Sequence, residues 1–165
     1  MEFTHIDPSG NARMVDVSEK AVTSRRAVAA GRIEMSAECF ALVAAGRMKK
    51  GDVLAVAQVA GIMAAKRTSD IIPLCHPLPI TKIDLTFDLL EETNEIEARC
   101  TVCCDGKTGV EMEALTGVSA ALLTVYDMCK AVDKRMVMKD IHLLEKQGGK
   151  SGDFRFAADA EDTEA

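Results

Sequence analysis

Apolar and polar positions change period several times along this chain, and each change marks an element. Val28 to Met35 reads as a short strand, and Ser36 is placed to cap a helix that runs through Ala45 and stops at Gly46. Asp52 is placed to cap the next helix, whose stretch from Val53 to Ala65 is apolar except for Gln58. A helix that is apolar almost all round is predicted to be buried. It is predicted to end near Lys66 to Ser69, because I-I-P-L-C-H-P-L-P follows and places three prolines within seven residues. Over residues 80–90, Ile83, Leu85, Phe87 and Leu89 alternate with Lys82, Asp84, Thr86 and Asp88, and a second alternating run begins after E-E-T-N. That pair of runs predicts an antiparallel hairpin. Beyond D-G-K-T-G, Leu115, Val118, Leu122, Val125 and Cys129 recur at three- and four-residue steps, predicting a long helix from Glu111 to Val132. A last strand, Met136 to Leu144, leads into Q-G-G-K-S-G-D.

Helices and antiparallel strands in this mixed order predict an α+β fold, its sheet covered by helices on one face. A length of 165 residues predicts one domain. Residues 1–27 read as an N-terminal arm, 28–156 as the folded body and 157–165 as a solvated acidic tail. The longest apolar stretch falls short of the roughly 20 residues that span a bilayer. M-E-F-T-H-I-D-P has neither the basic nor the apolar part of a secretory signal, so a cytoplasmic location is expected. Six cysteines in that compartment are expected as thiols. In the strand from Glu95 to Cys104, alternation puts Ile96, Ala98, Cys100, Val102 and Cys104 on one face and Cys103 on the other. Cys100 and Cys103 therefore diverge, which favours sheet packing over metal ligation.

Charge narrows the partners. With 26 acidic and 20 basic side chains the net charge is −6, which argues against binding a nucleic-acid polymer. Four of the acids belong to the tail, so the body holds 22 acids against 20 bases and is nearly neutral. Its cations gather at element ends: Lys49 and Lys50 before Asp52, Lys66 and Arg67 after the apolar helix, Lys130 and Lys134 one turn apart, Lys146 and Lys150 beside glycines. If these ends converge they form a polyanion site. The competing reading is a set of solvated helix ends favoured by the helix dipole.

Neither glycine-lysine pair is a phosphate loop, because Leu144 and Thr101 stand where the motif requires its first glycine. Gly148 to Asp153 can still form a nest of backbone amides, or act as a flexible link. Asp127 and Lys130 share a helix face: exposed, they are an ion pair of little worth, and in a desolvated pocket they are an acid–base couple. Clustered, desolvated lysines such as Lys50 and Lys130 are expected to have lowered pKa values. Tyr126 reads as a packing residue. His76, held among prolines, is either an acid, base or donor, or a structural histidine; a Cys75–His76 dyad is disfavoured because neighbouring side chains point apart. Glu111 and Glu113 either favour the start of the long helix or bind amine-like N–H groups of a ligand.

Six strings, K-K-G-D-V-L, A-G-I-M-A-A-K-R-T, I-P-L-C-H-P-L, G-K-T-G-V-E-M-E-A-L-T, Y-D-M-C-K-A-V and G-G-K-S-G-D, occur in order between Thr4 and Phe156. Together they resemble the molybdenum cofactor biosynthesis protein C (MoaC) family. The resemblance implies a ferredoxin-like fold and a lyase that converts 3',8-cyclised dihydro-GTP, made by a radical-SAM enzyme, into cyclic pyranopterin monophosphate and pyrophosphate. It implies a homohexamer, a trimer of dimers with active sites at dimer interfaces, and no cofactor or resident metal. Matched motif by motif, Asp127, Lys130, Lys50 and His76 take catalytic positions. Leu74, Cys75, His76, Met112 and Glu113 match substrate-binding stretches, and Lys66, Lys146 and Arg25 match phosphate-contacting positions. The Cys-rich strand and the acidic tail lie outside the shared pattern. Two other classes compete: a noncatalytic nucleotide- or pterin-binding module, which would bind without turnover, and a hydrolase of ordinary GTP, which the failed phosphate-loop spacing disfavours.

Overall fold

A computed structural model describes residues 9–156; the expected acidic tail and the first eight residues of the arm lie outside the described residues. Strand β1 (Thr23–Glu34) runs through the middle of an antiparallel sheet. Two helices, α1 (Ala37–Ala44) and α2 (Val53–Ala65), and one turn, α3 (Thr68–Ile71), lead to the hairpin of β2 (Ile80–Leu90) and β3 (Glu95–Gly106). The long helix α4 (Glu111–Cys129), then β4 (Val137–Gln147) and a two-residue β5 (Phe154–Arg155), complete the fold. The strand order β2-β3-β1-β4-β5 puts each of the first four strands where a ferredoxin-like βαββαβ unit places it, so the α+β expectation holds.

Local chemistry explains the boundaries. Ser36 and Asp52 accept hydrogen bonds from the Cys39 and Ala55 amides, at 3.3 and 3.0 Å, and cap α1 and α2 as expected. Asn94, at φ 53°, turns the β2–β3 hairpin. β1 starts at Thr23, five residues before the predicted strand, because it pairs with β3 along its full length. α4 stops at Cys129 rather than Val132: the Val132 and Asp133 amides both donate to the Cys129 carbonyl, at 2.8 and 3.2 Å, in a closing turn.

The core lies between one sheet face and the helices. Ile96, Ala98, Cys100, Val102 and Cys104 of β3 are buried beside Ala27, Ala29 and Ile33 of β1, and all meet the Val118, Leu122 and Val125 face of α4. Cys103 is only partly buried, so the alternation expected from the sequence holds, and all six cysteines are free thiols. Burial pushes the Cys100 and Cys129 thiols up to about 12, which makes them inert core residues. Tyr126 packs on the core, and its hydroxyl donates to the Lys134 carbonyl at 3.1 Å. On the opposite sheet face Arg32 joins Glu95 (3.6 Å) and Glu97 (2.9 Å), while Lys139 bridges Glu34 and Glu95, both at 2.7 Å. This ladder of alternating charge ties β3, β1 and β4 together.

α2 departs from its prediction. It covers α4 and β2 with one side only, and Val56, Val59 and Met63, at i, i+3 and i+7, remain 45–61% exposed. One sheet and one neighbouring helix cannot bury a helix that is apolar all round. The buried side of α2 meets α4 at glycines. A Cβ on Gly61 would lie 2.8 Å from the Gly117 carbonyl oxygen and 2.4 Å from Leu85 Cδ1. Gly61→Val is therefore expected to overpack this crossing and destabilise the fold by about 3 kcal/mol, roughly 10 °C in Tm. A melting temperature unchanged by calorimetry would show that the helices separate without cost.

Candidate active site

α4 carries chemistry at both ends. At its C-terminal end the buried Leu122, Val125 and Met128 fix the helix, leaving Asp127 on the outward side. Gly51, at φ +98°, turns the chain just before α2, and Lys50 beside it reaches back to α4. Lys50 Nζ donates to the Asp127 backbone carbonyl at 2.9 Å and lies 3.3 Å from Asp127 Oδ2. Lys130 Nζ lies 2.7 Å from Oδ1. One carboxylate thus sits between two ammonium groups. The hydrogen bonds from Lys130 and then Lys50 hold the Asp127 carboxyl below its ordinary value, and Asp127 in turn raises Lys130.

Both results correct an expectation. Lys130 is raised, not lowered, because its nearest charge is the opposite one. Nor is the trio desolvated within one chain: Asp127 is 58% exposed.

The N-terminal end of α4 carries a cleft of about 320 Å³. The proline-held Leu74–His76 segment forms one wall, Met112 and Glu113 from the first turn of α4 another, and Val15, Val17 and Lys20 of the arm a third. Glu113 is 3% exposed, and burial raises its carboxyl above the ordinary value. Burial likewise raises the Cys75 thiol, which disfavours the thiolate a nucleophile would need. A second cleft of about 870 Å³ shares Lys20, Thr108, Gly109 and Glu111 with the first and brings in Arg25, Lys107, Lys146 and Lys150. Five cations face two carboxylates, Glu19 and Glu111, at the start of a helix whose N-cap, Val110, makes no side-chain cap bond. This cleft suits an anion with several charges.

Of the residues singled out from the sequence, Leu74, Cys75, His76, Met112 and Glu113 are brought together, and Arg25 and Lys146 share the adjoining cleft. Lys50, Asp127 and Lys130 form their own group. Lys66 stands apart, lining a separate hollow with Leu78 and Lys82. Sixteen residues of helix separate Glu111 from Asp127, about 24 Å at ~1.5 Å per residue. One chain therefore does not close the two groups around one small ligand. The amide nest over Gly148–Asp153 is not formed: the Gly148 amide donates to Asp153 Oδ1 at 3.0 Å and the Gly152 amide to the Gly149 carbonyl at 3.2 Å. No sequence pattern points to Lys20, and Lys107 stands out only as part of a glycine-lysine pair that fails as a phosphate loop. Lys107 donates to the Ser18 carbonyl at 2.6 Å and so pins the arm over the clefts; its place in D-G-K-T-G, between strand and helix, was the available signal.

Glu113 permits a test of burial with its sign worked out. Its folded pKa is raised above the unfolded one, so ionisation above the folded pKa costs stability, and that cost disappears as the pH falls below the unfolded value. Glu113→Gln is expected to raise Tm at pH 7 and to lose that advantage near pH 4. A variant less stable than the parent at pH 7 would show that the ionised carboxylate has a partner.

The class these observations define is a ferredoxin-like α+β protein with a multi-cation cleft and a buried carboxyl at one end of α4 and an Asp–Lys group at the other. The chain belongs to the MoaC family, whose model matches residues 14–149. It is 61% identical over 154 residues to the cyclic pyranopterin monophosphate synthase of Desulfitobacterium hafniense, covering 93% of this chain and 94% of that one. It is 63% identical over 154 residues to the protein of that name from Heliobacterium modesticaldum (92% and 96% covered). With the Clostridium perfringens strain 13 protein of the same name it shares 58% over 155 residues (94% and 98%).

Proposed function

We propose that this chain is a cyclic pyranopterin monophosphate synthase of molybdenum cofactor biosynthesis. It acts as a lyase on (8S)-3',8-cyclo-7,8-dihydroguanosine 5'-triphosphate, forming cyclic pyranopterin monophosphate and releasing pyrophosphate. The observation that carries this reading is the meeting of the Leu74–His76 and Met112–Glu113 pocket with the Arg25 and Lys146 cleft: a purine-sized space beside a place for phosphates. Opening the imidazole-derived ring and closing a pterin requires several proton transfers. Asp127, Lys130, Lys50 and His76 carry them, with Lys130 the charged acid and Asp127 the ionised partner at neutral pH. Glu113 receives N–H groups of the purine. Closing the cyclic phosphate expels pyrophosphate, whose growing charge Arg25 and Lys146 stabilise; Lys66, in its own hollow, reaches the phosphates only if another copy brings it to the cleft. No net oxidation separates substrate from products, so the reaction as written calls for no flavin or nicotinamide.

Because the Asp127 group and the clefts lie at opposite ends of α4, the working site takes its halves from two copies. The exposed Val56, Val59 and Met63 stripe of α2 provides an apolar surface for that pairing. The assembly is a homohexamer, a trimer of dimers, and the substrate is supplied by a radical-SAM enzyme that cyclises GTP. Among the described residues no helix is long and apolar enough to cross a membrane. The test is a phosphorus NMR spectrum of the protein with the cyclised triphosphate. Appearance of cyclic phosphate and pyrophosphate is expected; binding with an unchanged triphosphate spectrum would identify a noncatalytic module.

A further inference from the structure

The turn between β4 and β5 contains three glycines of positive φ, Gly148 (+86°), Gly149 (+89°) and Gly152 (+72°). All three avoid the strain a side chain meets there, but only two also make room for β1. A Cβ on Gly148 would lie 2.3 Å from the Ser24 carbonyl oxygen, and one on Gly149 would lie 1.6 Å from Arg25 Nη1. Around Gly152 nothing comes within 4 Å.

Arg25 extends from β1 at the rung facing Cys104 and lines the cation cleft. Its Nε is buried and has no hydrogen-bond partner. The buried Nε fixes the inner side of the guanidinium against the fold, while Arg25 lines the cleft; a guanidinium offers its donors in a planar fork that fits phosphate oxygens.

We propose that Gly148 and Gly149 are positioning residues: they form a cradle, closed by the β4–β5 turn, that holds the Arg25 guanidinium as a phosphate donor in the cleft. Gly149 also lines the cleft, and its positioning effect runs through Arg25, the side chain its Cβ would strike. The proposal rests on the reading that this cleft binds the phosphates of the substrate. Positive φ already favours glycine at both positions; the close approach to β1 and Arg25 is a second demand, which Gly152 does not share.

Calorimetric titration of the full chain with pyrophosphate tests it. Arg25→Ala and Gly149→Ala are each expected to weaken binding about tenfold or more, whereas Gly152→Ala, which brings strain without collision, stays within about twofold. In the Arg25→Ala and Arg25→Lys backgrounds, adding Gly149→Ala is expected to cost less than about twofold, because the group it strikes is gone or shorter. If Gly149→Ala melts early, removing Arg25 is expected to bring its Tm back to that of Gly152→Ala; a Tm left low would overturn the cradle. Equal affinities for Gly149→Ala and Gly152→Ala, or additive losses in the double variant, would also overturn it. If Arg25→Ala itself binds pyrophosphate as the parent does, the phosphate reading of the cleft fails and the proposal falls with it.

Discussion

Asp127→Asn is expected to lower kcat for cyclic pyranopterin monophosphate formation by a factor of about 10² to 10⁴, the usual worth of a positioned acid or base. The amide keeps the shape and one acceptor oxygen but can neither take a proton nor hold two ammonium groups. Lys130 and Lys50, 2.7 and 3.3 Å from the carboxylate oxygens, would then repel each other across a neutral side chain. Asp127 is more than half exposed and belongs to no core cluster, so the variant is expected to fold normally, with little change in Tm. Product formation followed beside pyrophosphate release checks the result, and near-normal release by the folded variant would remove Asp127 from the chemistry.

The pH profile carries the same sign. With Asp127 lowered and Lys130 raised, both stay ionised from about pH 5 to pH 10, so this pair contributes no limb to kcat/KM between those values in the free protein. A limb near neutrality that vanishes in Asp127→Asn would mean that the assembled site desolvates the pair.

Periodicity made much of the fold legible. The hairpin begins where its alternation does, although β3 runs two residues past Cys104 to Gly106; the two helix caps are the residues whose side chains suit them, and Cys100 and Cys104 face the core by parity alone. Tertiary partners decided the rest. β1 extends back to Thr23 because β3 is there to pair with it, and α2 leaves Val56, Val59 and Met63 in the open because one chain has no further layer to cover them. An apolar helix pattern reports how much must be hidden, not whether the same chain hides it.

At the candidate site, motif matching supplied residue identities, while the grouping had to come from geometry. Nothing in the spacing of Arg25, Met112 and Lys146 shows that they share adjoining clefts, because β1, α4 and β4 meet there only through the sheet order. The direction of the Lys130 shift was legible in the i, i+3 spacing to Asp127, the exposed ion-pair reading; what geometry added is that the pair is exposed and 2.7 Å apart. The role of Lys107 was not legible from the Gly106-Lys107 pair, because it holds the arm through a backbone carbonyl, an acceptor that no side-chain pattern reveals.

Mixing two impaired variants is expected to restore activity. Asp127→Asn lesions the C-terminal end of α4 and Arg25→Ala the cleft at its N-terminal end, about 24 Å away along the helix. If each working site joins the Asp127 group of one copy to the cleft of another, a dimer of the two variants contains one site with both lesions and one with neither. Random reassortment makes half the dimers mixed, so at limiting substrate turnover is expected to recover to about one quarter of the parent's, from about one tenth or less in either variant alone. A site built within a single chain predicts the opposite, because every chain then carries one lesion and no combination repairs it. The readout is pyrophosphate release after the two variants are dissociated and reassembled together, against each treated alone. Adding a charge to the pairing surface, as in Val59→Asp, is expected to abolish the recovery by preventing assembly, since the α2 stripe would carry an unpaired carboxylate into an apolar contact.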